Sequence, residues 1–114
     1  MHVGITPKYR GVHGGYWALV KNDSENCGVT IHFVDAGIDT GEVIFQQRIT
    51  VTNKDNFVTY PLLQLSEGIP YMKKALQDII KGQIVTKKNP QESFLWYHPT
   101  IWQYLYHRVI NGKK

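Results

Sequence analysis

At 114 residues, with 42% hydrophobic and 12% aromatic residues, the chain has room for one modest core and not for two domains. Its single cysteine, Cys27, excludes an internal disulfide framework and an all-cysteine metal cluster, and no apolar run approaches the ~18–20 residues that span a bilayer. The formal charge of +4 gathers partly at Lys87–Lys88 and Lys113–Lys114, a pattern that reads first as solvated surface and second as attraction to an anionic ligand or nucleic acid.

The chain opens MHVGITPKYRG, an imidazole at position 2 followed at once by a loop. Beyond it, Tyr16, Leu19 and Val20, with Trp17 beside them, have the spacing of one face of a short helix starting near Gly15. Asn22-Asp23-Ser24 then reads as a turn. In GVTIHFVD, Val29, Ile31 and Phe33 alternate with Thr30, His32 and Val34, which predicts a strand with at least one apolar face. The loop AGIDTG separates it from EVIFQQRITVT, a second strand with Val43 and Phe45 on one side and Ile44 on the other. A bend or bulge is expected in it near Gln46–Arg48.

From Asp55 the period changes. Leu62, Leu65, Ile69, Met72, Leu76 and Ile79 recur every three or four residues, and Gly82 stands where a helix C-cap belongs, so this is the longest helix. Pro61 suits an early turn, whereas Pro70, with Gly68, predicts a kink. In the tail, SFLWYHPTIWQYLYHRVI places Pro99 at the start of a short aromatic helix with Ile101, Trp102, Leu105, Arg108 and Val109 on one side. Its aromatic residues read as core or interface packing in preference to base stacking.

His2, the helix start at HGGYWAL, and the loop carrying Asp35 and Asp39 are the features that can do chemistry together. An imidazole beside a carboxylate makes an acid/base pair, and the carboxylate raises the histidine's pKa toward working pH. Other residues have plainer readings. His32 on an alternating strand reads as a packing or supporting residue, His13 as a solvent-facing loop residue and Asp35 as a turn former. Arg10 is equally well an anion ligand or a structural ion-pair residue.

Taken in order, HVGITPKYRG, WAL and NDSENCGVTIHFVDAGIDTGEVIFQ resemble the catalytic half of the folate-dependent formyltransferases, the family of glycinamide ribonucleotide, methionyl-tRNA and sugar-nucleotide formyltransferases. The likeness runs from about His2 to Gln46, and the long helix to about Lys81 is also as that family has it. It implies an α/β fold equivalent to the later half of a Rossmann-like formyltransferase domain, with a mixed sheet, a long kinked helix and a short C-terminal aromatic helix. Residues 1–114 form a single partial domain on this reading, with 1–82 the family-matching core and 83–114 an extension.

The reaction implied is transfer of a formyl group from 10-formyltetrahydrofolate to a primary amine, such as that of an amino sugar. Members carry an Asn-x-His ahead of the Pro-x-Tyr-Arg-Gly loop and an aspartate in the loop that here reads AGIDTG. His2 and Asp39 match the catalytic histidine and aspartate; the asparagine would fall before Met1. In the family the asparagine and a protonated histidine supply the oxyanion donors, and the loss of one costs ~10²–10³ in rate, so the chain alone is expected to be impaired. The resemblance further implies that the pterin of the folate lies on Ala36, Gly37, Ile38, Thr40 and Gly41, and that Tyr9, Arg10, His13 and Gly14 meet the amine substrate. No metal is implied. A homodimer, or a complex with an N-terminal half, would cover the strand edge and apolar face that an isolated half exposes. The cytoplasm is the expected compartment, with neither membrane nor nucleic acid as partner. The alternative is a non-catalytic remnant that keeps the fold and binds folate or a partner chain.

Overall fold

The computed structural model describes residues 1–113. Along the chain come β1 (Arg10–Gly11), α1 (Gly14–Val20), a 3-10 turn at Ser24–Asn26, β2 (Gly28–His32), β3 (Val43–Arg48), α2 (Thr59–Ile80), β4 (Leu95–Trp96) and α3 (Ile101–Ile110). The strands form two separate ladders, β2 antiparallel to β3 and β1 parallel to β4. The fold is therefore α/β with strands in both senses, and no described helix is long and apolar enough to cross a membrane.

Helix α1 starts at Gly14 because the chain before it arrives in the left-handed region at His13 (φ 56°) and must pass closely over its own opening segment. A Cβ at Gly14 would lie 2.8 Å from the Cα of Gly4, too close for any side chain. The helix ends in a six-to-one capping arrangement: Asn22 takes φ 56°, its N–H bonds the Leu19 carbonyl, and the N–H of Asp23 bonds that of Ala18. The turn expected at Asn22-Asp23-Ser24 is thus the helix terminus itself. All seven residues of α1 are buried, more than the single face that the spacing implies. Trp17 stacks on Trp96 and Tyr16 meets Phe57 and Tyr104, so the tail covers the side that a surface helix would leave wet.

Strand β2 is buried on both faces, with Val29 and Ile31 on one and Thr30 on the other, whereas Phe33 and Val34 lie past its end and are exposed. The irregularity in the β2–β3 ladder falls at Ile44 and not near Gln46–Arg48: Ile31 pairs Phe45 while His32 pairs Val43, so Ile44 is the extra residue. The bulge brings Ile44 into one cluster with Ile31 and Ala75, against which Phe45 also packs, so Ile44 and Phe45 do not part to opposite sides.

Helix α2 runs as one element through Pro70 and stops where expected, at Gly82 (φ 67°), with Gly82 N–H bonding Ile79 and Gln83 N–H bonding Asp78. Its buried face is not the expected one. Tyr60, Gln64, Gly68 and Ala75 are inside, and of the expected row Met72 packs against the Ile31, Ile44 and Ala75 cluster while Leu62, Leu65, Ile69, Leu76 and Ile79 stand exposed. Small residues decide this, because β2 approaches so closely at Gly68 that a Cβ there would meet Val29 at 2.8 Å. Helix α3 is capped by Thr100 and Gln103, each side chain bonding the other's backbone N–H, and it turns Tyr104 and His107 inward. The row Ile101, Trp102, Leu105 and Val109 is exposed.

Candidate functional site

The site is built where the chain's first residues lie across β2. His2 N–H bonds the Thr30 carbonyl at 2.8 Å and Thr30 N–H returns a bond to His2 at 2.9 Å, which pins the imidazole beside the middle of the strand. A buried polar set locks the next residues: Thr30 Oγ1 donates to the Gly4 carbonyl and Gln46 Nε2 to that of Thr6, both at 2.7 Å. From the other side the loop after β2 brings in Asp39, whose left-handed backbone (φ 53°) turns its carboxylate inward.

Asp39 is the hub. One carboxylate oxygen lies 3.3 Å from His2 Nδ1 and accepts the Gly11 N–H at 2.9 Å; the other lies 3.5 Å from His32 Nε2. His2 Nε2–H donates to the Tyr9 carbonyl at 2.7 Å, and His32 Nδ1–H donates to the Phe33 carbonyl at 2.7 Å. Each imidazole is thereby held by one nitrogen to the main chain and turns the other to the same carboxylate. Burial lowers the pKa of His2 below its ordinary value, against the opposing pull of the Tyr9 carbonyl and of Asp39. The expected net rise toward working pH does not occur, because desolvation of a nearly buried ring outweighs the upward pull of one partly exposed carboxylate. The expected donation of a His2 proton to an oxyanion also meets an obstacle, since both ring nitrogens already have protein partners.

Asp39 opens onto a cavity of about 330 Å³, bordered also by Thr6, Arg10, Thr40, Gly41 and, from the tail, Lys87, Lys88 and Ser93. Within the loop, Asp35 shapes the turn: its Oδ1 accepts from Gly37 N–H at 3.0 Å and from the Thr40 hydroxyl at 2.5 Å, bonds that hold its pKa below the ordinary carboxylate value. Ala36, Gly37 and Ile38 are exposed, Thr40 and Gly41 border the cavity, and Gly41 is buried against the Phe33 carbonyl where no Cβ fits. The residues expected to meet an amine substrate divide. Arg10 lines the cavity, held by Nε–H to Ser93 Oγ at 2.9 Å and by an Nη1–H to the Ile38 carbonyl at 3.0 Å.

Tyr9 is 1% exposed and its hydroxyl donates to Asp23, so its side chain belongs to the core. Gly14 is buried against Gly4. His13 pairs with His98, ring nitrogens 3.0 Å apart, and packs on Phe57. Nothing in the spacing of the motif separates these roles: Tyr9, last in the turn before β1, sends its side chain into the core, and Arg10, first in the strand, lines the cavity. His32, which reads from its alternation as a packing or supporting residue, is the second imidazole turned to Asp39. Its signal was its place, last on a strand and directly before a loop rich in aspartate and glycine. Among the described residues no group of three or more His, Cys, Asp or Glu side chains is arranged so that it could hold a metal ion.

The family model for formyl transferase matches residues 1–62. The chain belongs to that family. Methionyl-tRNA formyltransferase of Thermodesulfovibrio yellowstonii is 33% identical over 101 residues, which cover 89% of this chain and 32% of the relative. That of Pelotomaculum thermopropionicum is 30% identical over 101 residues, with 89% and 31% covered. The chain thus spans about a third of the length of these curated relatives. Among solved structures, the N-formyltransferase of Helicobacter canadensis, in complex with folinic acid and dTDP-3-aminofucose, is 32% identical with a TM-score of 0.72, over 83% of this chain and 35% of that one. A formyltransferase of Anoxybacillus kamchatkensis, in complex with UDP-4,6-dideoxy-4-formamido-L-AltNAc and tetrahydrofolate, is 26% identical with a TM-score of 0.76, over 92% and 55%. This formyltransferase-family chain therefore has part of the family fold, with sugar N-formyltransferases among its structural neighbours.

Proposed function

We propose that the chain carries the proton-handling part of a formyl-transfer site, which moves a formyl group from 10-formyltetrahydrofolate to the primary amine of an amino sugar. The observation that carries this reading is Asp39 held between two imidazoles, 3.3 Å from His2 and 3.5 Å from His32, at the edge of an open cavity. When the amine attacks the formyl carbon, a C–N bond forms, the carbonyl oxygen becomes an oxyanion and the nitrogen becomes acidic. Asp39 lies in reach to take that proton, directly or through water, and His2, kept neutral by burial, is positioned to share it. The proton then leaves with the folate nitrogen as the C–N bond to the donor breaks. The exposed residues Ala36, Gly37 and Ile38 are the surface offered to the pterin, and Arg10 faces the acceptor.

For His2 to serve the oxyanion as well, Nε2–H must leave the Tyr9 carbonyl, and a second donor must come from another segment; the chain alone is therefore slow on this reading. A homodimer or an N-terminal half is the partner that supplies the rest, in keeping with the exposed apolar rows of α2 and α3. Light scattering that finds a stable dilute monomer removes the dimer.

Titration calorimetry with folinic acid tests the reading. Heat of binding at millimolar ligand or below is expected, and its absence leaves the non-catalytic remnant. In a preparation that transfers formyl, Asp39→Asn is expected to lower the rate by ~10²–10⁴. Since the carboxylate raises the pKa of His2, its removal also moves the acidic limb of the pH–rate profile to lower pH.

A further inference from the structure

Residues 6–9 carry the Tyr9 carbonyl that holds His2 Nε2–H, yet they form a turn that belongs to neither pair of strands. A run of side-chain amides holds this turn. At its start, Gln46 Nε2 donates to the Thr6 carbonyl at 2.7 Å. Gln46 Oε1 accepts from Asn89 Nδ2 at 3.2 Å, and the same nitrogen reaches Gln91 Oε1 at 3.3 Å. Gln91 Nε2 donates to Asn26 Oδ1 at 2.8 Å, and Asn26 Nδ2 to Asp23 Oδ1 at 2.9 Å. Asp23 closes the run at the far end of the turn, where its second oxygen accepts from Lys8 Nζ at 2.6 Å and from the Tyr9 hydroxyl at 2.9 Å.

The run has one direction. Against the upward pull of burial, the bonds from Lys8, Asn26 and Tyr9 hold the Asp23 carboxyl below its ordinary value, so it is ionised and only accepts. Asn26 must then turn its nitrogen to Asp23 and its oxygen to Gln91. Gln91 in turn offers its oxygen to Asn89, whose nitrogen also meets the Gln46 oxygen, and Gln46 is left with a nitrogen for Thr6. The tail brings its two amides as a preset pair: Pro90 fixes the backbone between them, and Asn89 Oδ1 accepts the Gln91 N–H at 3.3 Å.

We infer that Asn89 and Gln91 are positioning residues for the His2 imidazole: through this run they clamp the turn of residues 6–9 at both ends, so that the Tyr9 carbonyl keeps a proton on Nε2 and leaves Nδ1 turned to Asp39. The catalytic consequence rests on the formyl-transfer reading, in which the proton taken from the amine is shared between Nδ1 and that carboxylate. A turn freed at either end lets the carbonyl move and the ring rotate, and a small misplacement of an acid/base group is costly to the reaction it serves.

Nitrogen-15 NMR of the histidine rings in the whole chain tests this. Gln91→Met keeps the bulk and cuts the run in its middle; Gln91→Glu, for use if methionine prevents folding, still accepts from Asn89 but donates nothing to Asn26. Gln47→Met is the control, the same exchange one residue from Gln46, where it removes the bond from the Tyr71 hydroxyl. In the unaltered chain the His2 Nε2–H signal is expected to be protected from exchange with water. Cutting the run is expected to speed that exchange roughly tenfold or more and to lower the share of the Nε2–H tautomer. The control stays within about twofold, and so does the main-chain N–H of Ala75, buried in α2, in every variant. Four outcomes overturn the assignment: no protected His2 ring N–H in the unaltered chain, unchanged exchange in the Gln91 variant, an equal rise in the control, or an equal rise at Ala75, which marks a general loss of stability. A His2 response in a chain that binds no folinic acid leaves the positioning role standing and removes the formyl-transfer reading; folinic acid binding beside an unmoved His2 does the reverse.

Discussion

Helices α1 and α2 both carry a regular row of apolar residues, and the structure treats the two rows in opposite ways. In α1 every residue is buried, the row Tyr16, Leu19 and Val20 together with the residues between. In α2 the row Leu62, Leu65, Ile69, Leu76 and Ile79 stands exposed, and the helix buries Tyr60, Gln64, Gly68 and Ala75. The difference lies in what each helix is asked to approach. Helix α1 is enclosed by aromatic rings from the tail and from Phe57, so any side chain on it finds cover. Helix α2 lies against a strand through small residues, and close backbone approach takes precedence over hydrophobicity in choosing the face. Periodicity locates an apolar row; it does not say which neighbour, if any, lies over it.

The strongest way to break this contrast is at Trp17, which is 7% exposed, stacks on Trp96 and donates its Nε1–H to the Tyr97 carbonyl at 2.9 Å. Trp17→Ala removes the pin between α1 and the tail, and a loss of ~3–5 kcal/mol in urea unfolding is expected. A loss under ~1 kcal/mol, within the range of ordinary surface changes, would show that the enclosure of α1 contributes little.

A smaller effect is expected on the inner face of α2. Gln64 is 1% exposed and donates Nε2–H to the Gly28 carbonyl at 2.6 Å, at the start of β2. Gln64→Leu keeps the bulk and strands that carbonyl, at an expected cost of ~1–3 kcal/mol. Were leucine here to stabilise the protein, the polar link would be unnecessary, and the face of α2 would be set by packing alone.

These cases also mark how far the sequence could be read. The end of α2 and, to within two residues, the start of α3 were legible, because Gly82 and Pro99 act locally on the backbone; α2 itself begins at Thr59, past the Asp55 where the periodic pattern starts. The meeting of His2 with Asp39 was legible too, since the motif brings its own strand and loop. Three things were not. The bulge at Ile44 depends on register with β2, and the buried face of α2 depends on Gly68 touching Val29, a residue 39 positions away. The third is the cavity wall at Lys87 and Lys88: both are exposed, as the solvated-surface reading has them, but nothing near them in sequence announces that they border a cavity with Arg10 and Asp39. Tyr9 and Gly14 misled for a related reason. A motif ties residue types together, whereas tertiary contacts decide which of them reach the cavity: Tyr9 is drawn into the core by Asp23, and Gly14 is there for the close passage of Gly4.

The smallest effect, and the sharpest comparison, is at a second tryptophan. Trp102 in α3 is 77% exposed, against 7% for Trp17, although both belong to short helices rich in apolar residues. Its helix is held by the Thr100–Gln103 cap and by Tyr104 and His107 on the inner face, none of which Trp102 supports. Trp102→Ala therefore takes little from the folded chain, and a change within about 0.5 kcal/mol is expected in dilute solution. If the outer row is covered by a second copy, the cost must grow with protein concentration, because stability then contains an association term. A loss above ~2 kcal/mol that is the same at every concentration would mean that α3 packs against this chain through its outer face, and the contrast between the two tryptophans would not hold.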